Sequence, residues 1–344
     1  MIKAATLVGV VFSGTLISAG QTTREPRTFF KKQIGLGDDQ IAMIDRGKAV
    51  AKVLPSKTPA EIFIFGAVYV NAAPEEYVKL AFDMNRLRRL PSYLGIGRFS
   101  NPPKLSDLEG FILEPDDIKN LKYCRPGRCG VQLPAEGMQE LQEAVNWSGT
   151  HVATQVNKGA RKMALEVLRR YQEGGNSALG IYRDKAHPFH VAGQFQSLLS
   201  RSEGLHVYLP ELNRYLLDYP NAVLANVESL FYWERINFGL KPTLRVNHAT
   251  AYRWTGPGGA TRVVAVKQLY ASHYFQVALD LTACLPDSSG ISYPGFYLIS
   301  LKASRQEGLT GLKGSLLRRV VVGKARSAQE NALISIKEAL EEPQ

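Results

Sequence analysis

The residues best equipped for chemistry lie between positions 233 and 305: Trp233, Glu234, His248, Lys267, Tyr270, His273 and Arg305. Imidazoles change charge near neutral pH and act as general bases, while an amine or a guanidinium holds an anion. Read as a strand, Leu244 to Trp254 places Leu244, Val246, His248, Thr250, Tyr252 and Trp254 on one face, because successive side chains point to opposite sides. The other face carries Arg245, Asn247 and Arg253 and is expected to be wet. The odd positions of Val263 to Leu279 give a second apolar face, interrupted by Lys267 and His273. Those of Tyr297 to Arg305 give a third, which ends in Arg305.

A cation facing an apolar interior is costly unless it is paired. Two readings stay open. In the first, Glu234, Asp280, Glu307 or a backbone carbonyl neutralises each base, or a bulge turns Lys267 outward. In the second, His248, Lys267, His273 and Arg305 line a cavity under the C-terminal helix and hold the polar or anionic end of a ligand, with Tyr270 and Trp233 in the walls and Glu234 as counter-charge. The same cavity could serve an enzyme with His248 or His273 as general base.

Familiar reaction motifs do not occur. The sequence has no His-Glu-x-x-His metal helix, no Gly-x-Ser-x-Gly elbow and no Walker loop. Gly308, Gly311 and Gly314 have the wrong spacing for a dinucleotide fingerprint. His187 and His190 flank Pro188, which breaks helical pairing and reads as a surface turn. No cofactor and no metal are implied.

The elements that would position these residues fall into four stretches. Met1-Ile2-Lys3 followed by an uncharged run from Ala4 to Gly20 has the form of a secretory signal peptide over 1–20, with small residues suited to cleavage before Gln21. Retention of that segment as a membrane anchor stays open. Residues 21–104 hold a short helical region at about 29–50, a strand apolar on both faces at Glu61–Val70, and a helix that starts at Pro74 and ends at Pro91. Residues 105–222 read as an irregular and helical insertion, with helices at about 135–147 and 153–173 and shorter ones near 193–200 and 210–218. From 223 to 344 the period changes to two, with turns at Gly239, Gly256-Pro257-Gly258-Gly259 and Asp287-Ser288-Ser289-Gly290. Ser327 and Glu330 form a capping box that opens the last helix. Runs of strands followed by a helix predict an α+β fold: a curved antiparallel sheet, a long C-terminal helix and a mainly helical insertion.

That order, over about 61–90 and 223–342, resembles the helix-grip fold of the START-like superfamily, which implies a ligand cavity between sheet and C-terminal helix. The stretches Lys267-Gln268-Leu269-Tyr270-Ala271-Ser272-His273-Tyr274-Phe275 and Cys124-Arg125-Pro126-Gly127-Arg128-Cys129 are similar to those of a family of uncharacterised exported bacterial proteins. This second resemblance implies a bacterial source and export, and no activity.

Cysteine usage agrees with export. Pro126-Gly127 turns the chain so that Cys124 and Cys129 can close a disulfide, as an oxidising compartment permits. Cys284 ends an apolar run and reads as a buried thiol. The chain has 344 residues, 42 Lys or Arg against 31 Asp or Glu, and 45% hydrophobic residues, which excludes a disordered tail, a coiled coil and a polytopic membrane protein. Its charge of +11 gathers in Arg86, Arg88, Arg89 and Arg98, and again in Lys313, Arg318, Arg319, Lys324 and Arg326. For a periplasmic or envelope-associated protein the fitting polyanion is an anionic membrane surface; the interleaved aromatics of a nucleic-acid motif are missing. The expected function is binding or carriage of an amphipathic small molecule or lipid. A periplasmic enzyme and an envelope interaction protein are the alternatives.

Overall fold

The computed structural model describes residues 26–200, 209–256, 259–287, 295–306, 309 and 311–342; the signal-like segment, Pro257-Gly258, Ser288–Gly290 and Glu307 lie outside them. Eight strands form one sheet: β1 (Val50–Leu54), β2 (Glu61–Val70), β3 (Tyr93–Arg98), β6 (Val227–Ile236), β7 (Thr243–Gly256), β8 (Gly259–Ala271), β9 (Val277–Pro286) and β10 (Phe296–Arg305). Their order is β1-β2-β10-β9-β8-β7-β6-β3, and every pairing is antiparallel. Two short strands, β4 (Ile181–Tyr182) and β5 (Phe189–His190), make a separate hairpin. The fold is α+β, as the change of period at residue 223 predicts.

Helices cover both faces of the sheet. On one face lie the helix Pro74–Phe82 and the C-terminal helix Gly311–Glu341; Leu333 and Leu340 pack with Val68, Val70, Leu298 and Val264. The C-terminal helix approaches β2 so closely that a Cβ on Gly66 would sit 2.7 Å from the Leu333 side chain. On the other face, the N-terminal segment buries Phe30, Ile41 and Ile44 against Phe65, Ala67, Tyr297 and Ile299. Beside it, helices Pro115–Leu121, Ala135–Ala144, Val152–Gly174, Val191–Ser200 and Pro210–Asp218 cover β6 to β9. The described part of the stretch 105–222 is thus a largely helical layer apposed to the sheet.

Both faces being dry explains why Arg245 and Asn247, expected in water, are 4% and 0% exposed, while Arg253 is exposed. Three further expectations change. The C-terminal helix begins well before Ser327, so the Ser327–Glu330 pair is no cap; Glu330 instead accepts a hydrogen bond from the backbone N–H of Ala51 on edge strand β1 at 3.2 Å. The run Val263–Leu279 is two strands, because the chain turns through Ser272–Gln276 with Tyr274 left-handed at φ 59°. In β8, Lys267 pairs with His248 and Tyr270 with Val246, leaving Leu269 as an extra residue that shifts the alternation.

Several of the clustered bases are engaged in the fold. Arg86 donates to the carbonyl of Ala339 near the C-terminal end of the last helix, where cations are favoured. Arg88 donates to Ile96, Lys324 to Gly239, and Arg318 to Pro59 and Glu61. Among the described residues no helix is long and apolar enough to cross a membrane.

Candidate functional site

The sheet register fixes which predicted residues share a face. Lys267 stands opposite Leu279, which stands opposite Ala303, and its position has opposite parity to Gly66 under the C-terminal helix. Lys267 and His248 therefore face the insertion, and their expected place beneath the C-terminal helix is corrected. The cause is the second helical layer, whose apolar faces need the other side of the sheet.

Lys267 is fully buried and has no acidic partner among the described residues. Its Nζ contacts Tyr171 Oη at 3.1 Å, the Leu216 carbonyl at 3.2 Å, and Asn176 Oδ1. It also lies 4.5 Å from the centre of the Tyr171 ring and 4.4 Å from that of Phe195. Burial alone pulls the ammonium well below its ordinary range. Three N–H groups of the side chain meet three acceptors, Asn176 Oδ1, Leu216 O and the Tyr171 hydroxyl oxygen, which leaves the Tyr171 hydroxyl beside His248 Nδ1. Asn176 is oriented for this role by donating its amide to the carbonyls of Leu216, at 3.1 Å, and Leu217. The expected backbone carbonyl is present; Glu234 and Asp280 are not involved.

His248 is also fully buried, with Nδ1 3.2 Å from Tyr171 Oη and Nε2 3.5 Å from Thr250 Oγ1. Its ring stacks on Phe231 at 4.5 Å and meets Tyr219 edge-on at 4.8 Å. Burial, with a smaller contribution from Lys267, brings its pKa down to about 3. His248 and Lys267 thus share one closed aromatic box with saturated hydrogen bonds.

The other predicted residues are dispersed. His273 lies in the β8–β9 turn, its Nε2 2.8 Å from Oδ2 of the buried Asp117, which also binds Lys241. Arg305, at the end of β10, places Nη1 3.7 Å from Glu61 Oε1. Trp233 anchors the insertion to the sheet: its Nε1 donates to the Asp107 carbonyl at 2.7 Å, and a Cβ on Gly97 would sit 2.6 Å from that nitrogen. Glu234 points the opposite way, toward the C-terminal helix, where Oε1 lies 3.1 Å from Arg245 Nη1. Cys124 and Cys129 form the expected disulfide, and Cys284 is a buried free thiol whose pKa burial drives well up.

The insertion side carries an apolar cleft of about 700 Å³. Leu113, Leu133, Leu141, Ala160, Met163, Ala164 and Val167 supply walls from the helical layer, and Leu269 and Tyr270 come from the β8 bulge. Glu136, Glu140, Lys162, Glu166, Arg169 and Arg170 also border it, and all six are exposed. Only Tyr270 of the predicted ligand residues reaches this cleft. Small residues open it: a Cβ on Gly180 would meet nothing within 4 Å. The spacing of Ala160, Met163 and Val167 signals a helix stripe, and nothing in that stripe separates a packed face from a lined one.

No protein-family model matches the chain, and no curated protein matches it.

Proposed function

We propose that the protein is an exported binding or carrier protein for an amphipathic small molecule or lipid, whose apolar part occupies the cleft between the insertion helices and the β8 bulge. The supporting observation is the cleft itself: about 700 Å³, apolar inside, with charged groups of both signs at its border. Small-molecule sites share that volume range and that division between apolar wall and sparse polar groups. This placement differs from the cavity under the C-terminal helix that the START-like resemblance implies. The signal-like residues 1–20 and the Cys124–Cys129 disulfide support export. An anionic membrane surface is the natural docking partner for the exposed part of the positive charge, Arg89 and Arg319 among it.

The enzymatic alternative gains little. A general base must reach the proton that it removes. His248 is sealed in the aromatic box, and His273 is tied to Asp117.

Native mass spectrometry of protein purified without detergent from its own host tests the reading. The expected result is a chain beginning near Gln21 with a noncovalent adduct of lipid-like mass that organic solvent removes. A chain that retains its first 20 residues and carries no adduct would overturn it.

A further inference from the structure

The face under the C-terminal helix holds a second feature, independent of the cleft. Glu234, Arg245 and Asp280 converge from β6, β7 and β9 on a small pocket of about 130 Å³ closed by Gln329, Leu333 and Ile336 of the helix. Arg245 is 4% exposed, and its Nη1 faces both acids, at 3.1 Å from Glu234 and 3.7 Å from Asp280. Its other edge is different. Nε and Nη2 are buried and have no hydrogen-bond partner among the described residues.

A buried donor without a partner carries its full desolvation cost, and a charged one carries more. Here two such donors lie side by side on one guanidinium, and the Nε/Nη2 edge has the spacing that grips a carboxylate through two parallel N–H···O bonds. The same pocket wall holds one more unpartnered polar atom, Oε1 of Gln329. Charge also balances. Lys302, which pairs with Asp280 across β10 and β9 and borders the pocket, offsets the second acid.

We infer that this pocket is a binding site for a small carboxylate of amino-acid size, held side-on by Nε and Nη2 of Arg245. Glu234 and Asp280, on the far edge of the guanidinium, fix its plane, and the pocket volume limits the ligand to a few heavy atoms. A zwitterion matches best, because it leaves the local charge of the pocket at zero. Tyr93 and Tyr232 also line the walls, and burial drives both hydroxyls well up, so they stay neutral donors.

Glycine and acetate are the probes. In the full chain labelled with ¹⁵N-arginine, millimolar glycine should shift the Arg245 Nε–H resonance downfield in a saturable way, with acetate, which adds a net negative charge, binding about tenfold more weakly. Arg245→Lys removes that resonance and so assigns it. Because that change touches a buried ion pair and could unfold the chain, Ala332→Leu provides a second route: it fills the pocket from the helix and leaves Arg245 in place. A folded Ala332→Leu protein that no longer responds supports the site. An unchanged Nε–H resonance in the wild-type protein at saturating glycine and acetate, or an unaltered response in Ala332→Leu, overturns it. Neither result bears on the apolar cleft, which lies across the sheet.

Discussion

The two faces of the sheet each bury a basic side chain, and they treat it in opposite ways. On the insertion face, burial pulls the Lys267 ammonium well below its ordinary range, and the polar atoms around it find partners among Tyr171, Asn176, Leu216 and His248. Under the C-terminal helix, Arg245 keeps its charge: burial opposes it, but Glu234 and Asp280 hold the guanidinium above its ordinary value. An amine can become neutral when buried, whereas a guanidinium cannot, so only the lysine can be absorbed without counter-charge. The comparison separates a buried base that serves architecture from one that still offers hydrogen bonds.

The largest effect should come from breaking the ion pair. Glu234→Leu strands Arg245 with the more distant Asp280 alone, and denaturant unfolding should show a loss of about 3–5 kcal/mol. The double variant Glu234→Leu/Arg245→Met should recover most of it. If the single variant is as stable as wild type, Arg245 is solvated and the contrast between the faces fails.

Acid should next expose the insertion face. His248 has a folded pKa of about 3 against an ordinary value near 6.5. The unfolded chain therefore binds the extra proton, so the stability is present above pH 6.5 and is lost as pH falls toward 3. At pH 4 the deficit from this group is about 3 kcal/mol. Comparing unfolding of wild type and His248→Gln at pH 7 and pH 4 isolates it: the variant should lose less stability on acidification. Equal losses would mean that His248 is hydrated.

Lys267→Met keeps the stem volume but strands Leu216 O and Asn176 Oδ1, for an expected loss of about 2–3 kcal/mol with the fold retained. The sequence alone expects this change to weaken ligand retention. The structure relocates that effect, because Lys267 does not line the cleft; ligand uptake should survive. Cys124→Ser/Cys129→Ser opens a short loop and should cost about 2 kcal/mol in thermal unfolding, the smallest of the four.

What the sequence makes legible is periodicity and local chemistry. Alternation from 223 onward gives the antiparallel strands, the Pro126-Gly127 turn gives the disulfide, and the Val156, Ala160 and Tyr171 stripe gives the long insertion helix. Three physical facts hide the rest. Alternation says that two sets of side chains part company, but not which layer each set meets, so Lys267 and Glu234 can be assigned to one cavity when they lie on opposite faces. The Leu269 bulge and the Ser272–Gln276 turn contain no glycine or proline, so nothing local marks the break that removes His273 from the strand. Edge strand β3 hides for the converse reason: Gly95 and Gly97 weaken its strand signature, and Gly97 is needed because the Trp233 indole occupies the space of a side chain. Edge strand β1 is short, and its partnership with Glu330 spans 279 residues of sequence.

The proposed binding function is tested most directly by titrating parinaric acid, a fluorescent fatty acid, into the wild-type protein and into Gly180→Trp. The substituted residue borders the cleft, and a Cβ there would meet nothing within 4 Å, so the change puts bulk at the cleft border without a clash at the backbone. A carrier that uses this cleft should give saturable one-to-one binding in the wild type and at least about tenfold weaker binding in a Gly180→Trp protein of unchanged stability. Absence of saturable binding in the wild type, or equal affinity in the two proteins, would contradict it.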